Sequence, residues 1–253
     1  MRAWPILLVL WGSALPAAAE TLTVSLSHHR VRITSTYTGA EVVVFGVIGR
    51  DAASAARAGE YDLVITARGP RGNSVVREKQ RLGPIWINRE QVKFFDLPST
   101  MAVLSTGPLN EIADPEVLRR FRIGLSTAGA EKHDASSAPS RTEAFEASLV
   151  RLKTKAGLYV EHDRGVAFLS ETVFRATVPV PAAAPIGIYD VEVALFHGGV
   201  RLAVTTTNFE VIKAGVEQLL ALEARENGLL YGLTAAAMAL AFGWLATVVF
   251  RRD

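Results

Sequence analysis

Chemistry needs groups that hold a proton, a metal ion or a nucleophile, and this sequence offers few of them in useful patterns. Its histidines are His28, His29, His133, His162 and His197. His28 and His29 are adjacent, so in a strand they would point to opposite faces, a poor geometry for chelating one ion. His133 sits in a small, polar stretch without periodicity. No HxxxH or HExxH spacing occurs. Cysteine is absent, which removes disulfides, thiolate metal sites and cysteine nucleophiles together. No GxSxG, SxxK, Walker A or GxGxxG pattern is present. Gly69-Pro70-Arg71-Gly72-Asn73 reads as a turn rather than a phosphate cradle, because no helical pattern follows it. The expectation is a non-enzymatic protein with no catalytic, cofactor-binding or metal-binding residues, and no cofactor.

One cluster does stand out, and it is cationic. Residues 68 to 93 hold Arg68, Arg71, Arg77, Lys79, Arg81, Arg89 and Lys93 against Glu78 and Glu90. Arg77, Lys79 and Arg81 alternate, so in a strand they share one face. Such a face could meet an anionic ligand or phospholipid headgroups. It could equally be a sheet edge protected by charge, and the polar Glu78 and Gln80 on the opposite face favour that edge reading. A net charge of +2 with no recognition motif gives no reason to expect nucleic acid.

The segment that would position the chain is Leu229 to Phe250, which has no charged residue over 22 positions and is followed by Arg251-Arg252. As a helix it would reach roughly 33 Å, against a hydrocarbon core of about 30 Å. Tyr231 and Trp244 near its ends suit an interfacial belt, and the arginine pair suits a cytoplasmic flank. A transmembrane helix over 228–250 is therefore expected, with 251–253 as a cytoplasmic tail. Gly228 and Gly232 make a GxxxG, and Ala235, Ala239 and Gly243 continue the small residues. Small side chains let helix backbones approach closely in lipid, so this face is the expected interface with another membrane protein or a second copy. At the other end, Arg2, the apolar Ala3 to Leu15 and the small Ala17-Ala18-Ala19 read as a secretory leader over 1–19, cleaved before Glu20. Together these place the bulk of the chain outside the cytoplasm of a bacterial inner membrane that it crosses once.

Between the ends, β-branched runs alternate with turn residues. TLTVSL, HRVRIT, EVVVFGVI, YDLVITARG, SVVREKQRL, PIWI, VKFFDL and MAVLST read as strands of a first β-sandwich module over 20–125. Asp114-Pro115 opens a short helix, aspartate as N-cap and proline in the first turn. Ser126 to Pro139 is small, polar and aperiodic, a linker over 126–139. Ser140-Arg141-Thr142-Glu143 is a capping box opening a helix to about Ala156, with Phe145, Leu149 and Leu152 toward a core. LYVEH, VAFL, TVFRATVPV, GIYDVEVALF and VRLAVTTTNFEVI then form a second β module, 140–212 including that helix. Residues 213–227 read as a juxtamembrane helix. Gly59-Glu60-Tyr61-Asp62 and Gly187-Ile188-Tyr189-Asp190 share a G-x-Y-D pattern, suggesting two related Ig-like modules with inward tyrosines at their corners. The expected class is thus mainly β: two Ig-like antiparallel sandwich modules, a few short helices and one C-terminal transmembrane helix.

Five stretches together carry a resemblance. VVVFGVIG near 43–49, the run from Arg77 to Asn88, AFEASLVRLKTKAGLY ending at Tyr159, FRATVPVPAAAPIGIYDV up to Val191, and LLYGLTAAAMALAFGWLA make the chain similar to an uncharacterised family of alphaproteobacterial single-span membrane proteins. The resemblance brings no catalytic residues with it. It implies a neighbour, since genes of that family often lie beside a sulfite-exporter-type permease. The expected function is a membrane-anchored periplasmic accessory protein associating with a multispan partner such as an anion permease. The alternative is a stand-alone ligand-binding or sensing module on a tether.

Overall fold

A computed structural model describes residues 20–49, 60–128, 139–214, 224–225 and 227–249. The leader expected over 1–19, most of the 126–139 linker and of the 213–227 helix, and the tail at 251–253 lie outside the described residues.

Alternation dictates the strands. In β1 (Thr21–Leu26), β2 (Arg30–Ile33) and β3 (Gly39–Gly49), every second side chain is apolar and turned inward, Leu22, Leu26, Val42, Val44 and Ile48 among them. β4 (Asp62–Arg68), β5 (Arg71–Leu82), β6 (Ile85–Pro98) and β7 (Met101–Ser105) follow. Next come α1 (Leu109–Ile112), α2 (Pro115–Arg120), a 3-10 turn at Leu125–Thr127, and α3 (Pro139–Lys155). The second half holds β8 (Tyr159–His162), β9 (Val166–Phe168), β10 (Val173–Pro181), β11 (Gly187–His197), β12 (Val200–Lys213) and finally α4 (Gly228–Val249).

The pairing of these strands corrects the expected architecture. One sheet has the order β1-β3-β10-β9 and the other β2-β12-β11-β4-β7-β8, so each is built from both halves of the chain. β10 lies antiparallel on β3 with Ala176 opposite Val44, and β11 on β4 with Val193 opposite Ile65. There is one shared sandwich, not two Ig-like modules. The facing side chains of both sheets, including Val44, Ile65, Phe174, Val193 and Phe209, form one core. Burying each such side chain contributes about 1.5–3 kcal/mol, so neither half can give up the other without losing most of it.

The two G-x-Y-D stretches are not equivalent corners of separate modules either. Their strands, β4 and β11, are antiparallel neighbours in the centre of one sheet. Both tyrosines do turn inward. Tyr189 donates to the Pro185 carbonyl at 2.9 Å and stacks on Phe209, whereas Tyr61 donates to the Glu20 carboxylate at 3.4 Å. Close packing also explains a glycine inside β3. Gly46 stands directly opposite Phe174, and a Cβ there would lie 2.2 Å from that buried ring.

The central strands of the larger sheet are buried on both faces. On the side away from the sandwich, Val64, Met101, Val103, Ala194 and Phe196 pack under Ile112, Leu118, Ile123, Leu125 and Tyr159. Three layers result: sheet, sheet, and a cap of short helices. Asp114 occupies the N-cap position of α2 but makes no side-chain cap hydrogen bond, so proline in the first turn is the feature that fits the expectation there.

PIWI and VKFFDL, expected as separate strands, are one strand, β6. Gly72-Asn73, expected as a turn, lies within β5 opposite a bulge in β6: between the pairs Gly72–Leu97 and Ser74–Phe94, β5 has Asn73 alone and β6 has Phe95 and Asp96. β5 and β6 continue β4 and β7 outward. Gly69 N–H donates to Thr100 O and Ser99 N–H to Pro70 O, both at 2.9 Å, carrying the ladder across the junction. The result is one long hairpin from Asp62 to Ser105, with its lower half inside the sheet and its upper half a separate two-stranded ribbon. Phe145 and Leu149 of α3 clamp the ribbon base against Val76, Val92, Phe94 and Leu97. Leu152, expected to face a core with them, is 51% exposed.

The transmembrane helix of the expected architecture is also corrected. α4 covers Gly228–Val249. Among the described residues no helix is long and apolar enough to cross a membrane.

Candidate functional site

The ribbon brings the sequence's cationic residues together, and register decides how. Directly paired residues of an antiparallel ladder share a face. Val75 pairs with Lys93, Arg77 with Gln91, Lys79 with Asn88 and Arg81 with Trp86. One face therefore carries Arg77, Lys79, Arg81 and Lys93 with Trp86 at its far end, and no acid. Glu78 and Glu90 pair with each other on the opposite face, which ends in Leu82 opposite Ile85. β5 is thus half of a projecting two-stranded ribbon, in which it pairs with β6 along one side and keeps an open edge on the other. Its last buried pair is Val76 and Val92, and the six residues beyond extend roughly 20 Å. Polar links hold this stretch: Arg77 Nε donates to Gln91 Oε1 at 3.3 Å, Arg89 to Gln80 Oε1 at 2.8 Å, and Arg81 Nε to Gly83 O at 3.0 Å. The tip turns at Gly83, whose φ of +62° suits glycine. Leu82, Ile85 and Trp86 around it are 61, 57 and 65% exposed.

α4 presents the second candidate surface. Gly228, Gly232, Ala235, Ala239 and Gly243 are all exposed, and nothing lies within 4 Å of where a Cβ would stand on its three glycines. Leu229, Leu233, Leu240, Phe242 and Trp244 are more than two-thirds exposed or close to it. Tyr231 N–H donates to Asn227 O at 2.9 Å, and Thr234 and Thr247 return their hydroxyls to carbonyls one turn back.

A third feature was not legible in the sequence. A cleft of about 680 Å³ opens among α1, α2, the 3-10 turn and the end of β8, lined by Leu109, Leu118, Ile123 and Leu125, with Arg119, Glu161 and Asp163 as its ionisable groups. Glu161 Oε2 accepts the Leu125 N–H at 3.1 Å and so ties down the turn that forms one wall. Short helices separated in sequence from β8 by more than thirty residues gave no signal that they would meet it. Beside this layer, Arg68 donates to Glu192 at 3.1 Å and to Arg122 O at 2.8 Å, while the Arg201 guanidinium stacks 3.5 Å above the Phe121 ring. These contacts bind the helical cap to the sheet.

The histidines are scattered. His28 and His29 lie in the bend between β1 and β2 rather than in a strand, and His28 Nδ1 is 3.0 Å from Ser27 Oγ. His162 ends β8, and His197 Nδ1 sits 3.2 Å from Glu60 O. His133 is outside the described residues. Among the described residues no three His, Asp or Glu side chains gather as a metal site would need.

Buried titratable groups belong to the scaffold. Tyr159 is fully buried, donates to Pro98 O at 2.8 Å, and burial pushes its phenol up to about 12. Half-burial lowers Lys153, whose ammonium donates to Ser99 O at 3.2 Å and lies 5.8 Å from the Tyr159 ring centre.

A family model described as "Putative transmembrane protein (Alph_Pro_TM)" matches residues 21–252. The chain belongs to that family. The match runs from β1 through α4, so ribbon, sandwich and apolar helix are all within it. No curated protein and no solved structure matches the chain.

Proposed function

We propose that the chain is a non-enzymatic accessory protein held at a membrane by α4, which associates through Gly228, Gly232, Ala235, Ala239 and Gly243 with a multispan partner. An anion permease of the sulfite-exporter type is the partner that the sequence resemblance suggests. The sandwich would work on the periplasmic side, where the leader expected over 1–19 would direct it. The observation that carries the reading is the exposure of α4: a helix apolar on every side needs lipid or protein around it. Membership of a family described as transmembrane supports the same setting.

The test is recovery of tagged full-length chain from its native membrane in mild detergent. A multispan protein in constant ratio, lost when Gly232→Leu and Ala239→Leu are introduced, is the expected result. Recovery of the chain alone, or association that survives both substitutions, would overturn the partner reading. The cleft favours a second reading, a tethered ligand-binding module, which predicts that a small ligand binds the full chain saturably and that Leu118→Trp blocks it.

A further inference from the structure

We propose that the distal β5–β6 ribbon docks on an anionic lipid bilayer, Leu82, Ile85 and Trp86 entering the interfacial layer while Arg77, Lys79, Arg81 and Lys93 meet headgroup phosphates. The inference rests on the reading of the chain as membrane-held. Three observations carry it.

The first is sorting by register. Beyond Val76 every basic residue of β5 falls on one acid-free face, and the acids of that outer part, Glu78 and Glu90, pair on the other. Arg77 and Arg81 each spend one N–H inside the ribbon, out of the five a guanidinium carries. The second is the tip. Three large apolar side chains are exposed around one turn, about 20 Å beyond the last buried pair, where they serve no core. Apolar wedge and cationic collar adjoin, since Arg81 pairs with Trp86 and Leu82 with Ile85. Tryptophan with arginine or lysine behind it is the composition that settles at headgroup depth.

The third observation is size. A stable protein interface buries about 800 Å² per partner, more than three side chains on a narrow turn can supply. A bilayer needs no matching surface. Each cation near an anionic membrane contributes about a fivefold preference, so Arg77, Lys79 and Arg81 of β5 alone give on the order of a hundredfold.

The absence of cysteine allows a single label to be placed at will. Full-length chain with Ile85→Cys carrying an environment-sensitive fluorophore is added to vesicles of phosphatidylglycerol and phosphatidylcholine, or of phosphatidylcholine alone. A label at Gly72→Cys, at the exposed ribbon base, is the control. Flotation reports attachment of the whole chain separately. The expected result is a blue shift, and quenching by spin-labelled lipid, at position 85 and not 72, in the anionic vesicles only. Arg77→Gln, Lys79→Gln and Arg81→Gln together should lower the docked-to-undocked ratio on the order of a hundredfold. A chain that floats with an unquenched tip would overturn ribbon docking and leave attachment by α4 standing. A tip quenched in anionic vesicles, in a chain that does not float on neutral ones, would overturn α4 attachment alone. A blue shift that grows with protein concentration without lipid quenching would mean that the ribbon pairs with a second copy, and would also overturn the proposal.

Discussion

Tyr159, in β8 beneath the helical cap, adds a buried side-chain hydrogen bond to the β7–β8 ladder, donating to Pro98 O at the point where β6 ends. The folded chain keeps its phenolic proton to about pH 12, whereas an exposed tyrosine gives it up near 10. Between those values the folded state binds more protons than the unfolded one. Stability is therefore intact below pH 10 and falls as pH rises towards 12, by on the order of 2–3 kcal/mol in all from this group. Tyr189 and Tyr37, also raised by burial, add to the loss in the same direction. Lys153 opposes it. Its lowered value means that the folded chain releases that proton first, so its term favours folding as pH rises towards 10.5. Tyr159→Phe should cost about 1 kcal/mol near pH 8 through the lost hydrogen bond, yet shrink the alkaline loss. Urea unfolding at pH 8 and pH 11 in mild detergent checks both, and an unchanged alkaline slope in the variant would place the titration elsewhere. Residue types were readable from the sequence at this scale, but their partners were not. Nothing near Tyr159 announces Pro98, which lies sixty-one positions away.

Among the elements, the ribbon is the one whose stability is borrowed. A two-stranded hairpin alone is marginal in water, and this one has a six-residue apolar cluster at its base, two members of which come from α3. Leu149→Ala opens that cluster. The expected cost is about 2–5 kcal/mol, felt first where the ribbon leaves the sheet. Hydrogen exchange should quicken in β5 and β6 well before β10 or β11, whose core does not include Leu149. Equal quickening in all four strands would mean that the ribbon unfolds only with the sandwich. Strand identity here was legible because alternation is local: β1 lies where TLTVSL predicts it. The continuation of β5 through Gly72-Asn73, opposite the β6 bulge at Phe95-Asp96, was not, since glycine beside asparagine signals a turn unless a partner strand continues past it. Here Asn73 Oδ1 accepts the Asp96 N–H at 3.3 Å, and Asp96 itself takes a positive φ of 57° to reach it. Leu152 was misread for a similar reason, because helical spacing identifies a stripe but not how far the neighbour covers it.

For the whole molecule, the decisive contacts join residues more than a hundred positions apart, and no periodicity encodes them. The G-x-Y-D pattern showed two similar strands and invited two modules, but similar strands can equally be neighbours, and β4 and β11 are. The consequence can be tested by cutting the chain. A fragment of residues 20–128 keeps β3 but loses β10 beside it, and keeps β4 but loses β11. A fragment of residues 139–214 keeps the β11–β12 pair but loses β2, β4 and β7 of that sheet, leaving β8 without its partner, along with β1 and β3 of the other. Each alone exposes the inward face of a half-core, and the hydrophobic area that would offset chain entropy is missing from both. Neither should show cooperative urea unfolding or a near-ultraviolet circular dichroism signal. Expressed together they should recover both, because the β3–β10 and β4–β11 ladders form without a covalent link between the halves. A 20–128 fragment that unfolds cooperatively by itself would restore the two-module architecture that strand pairing has set aside.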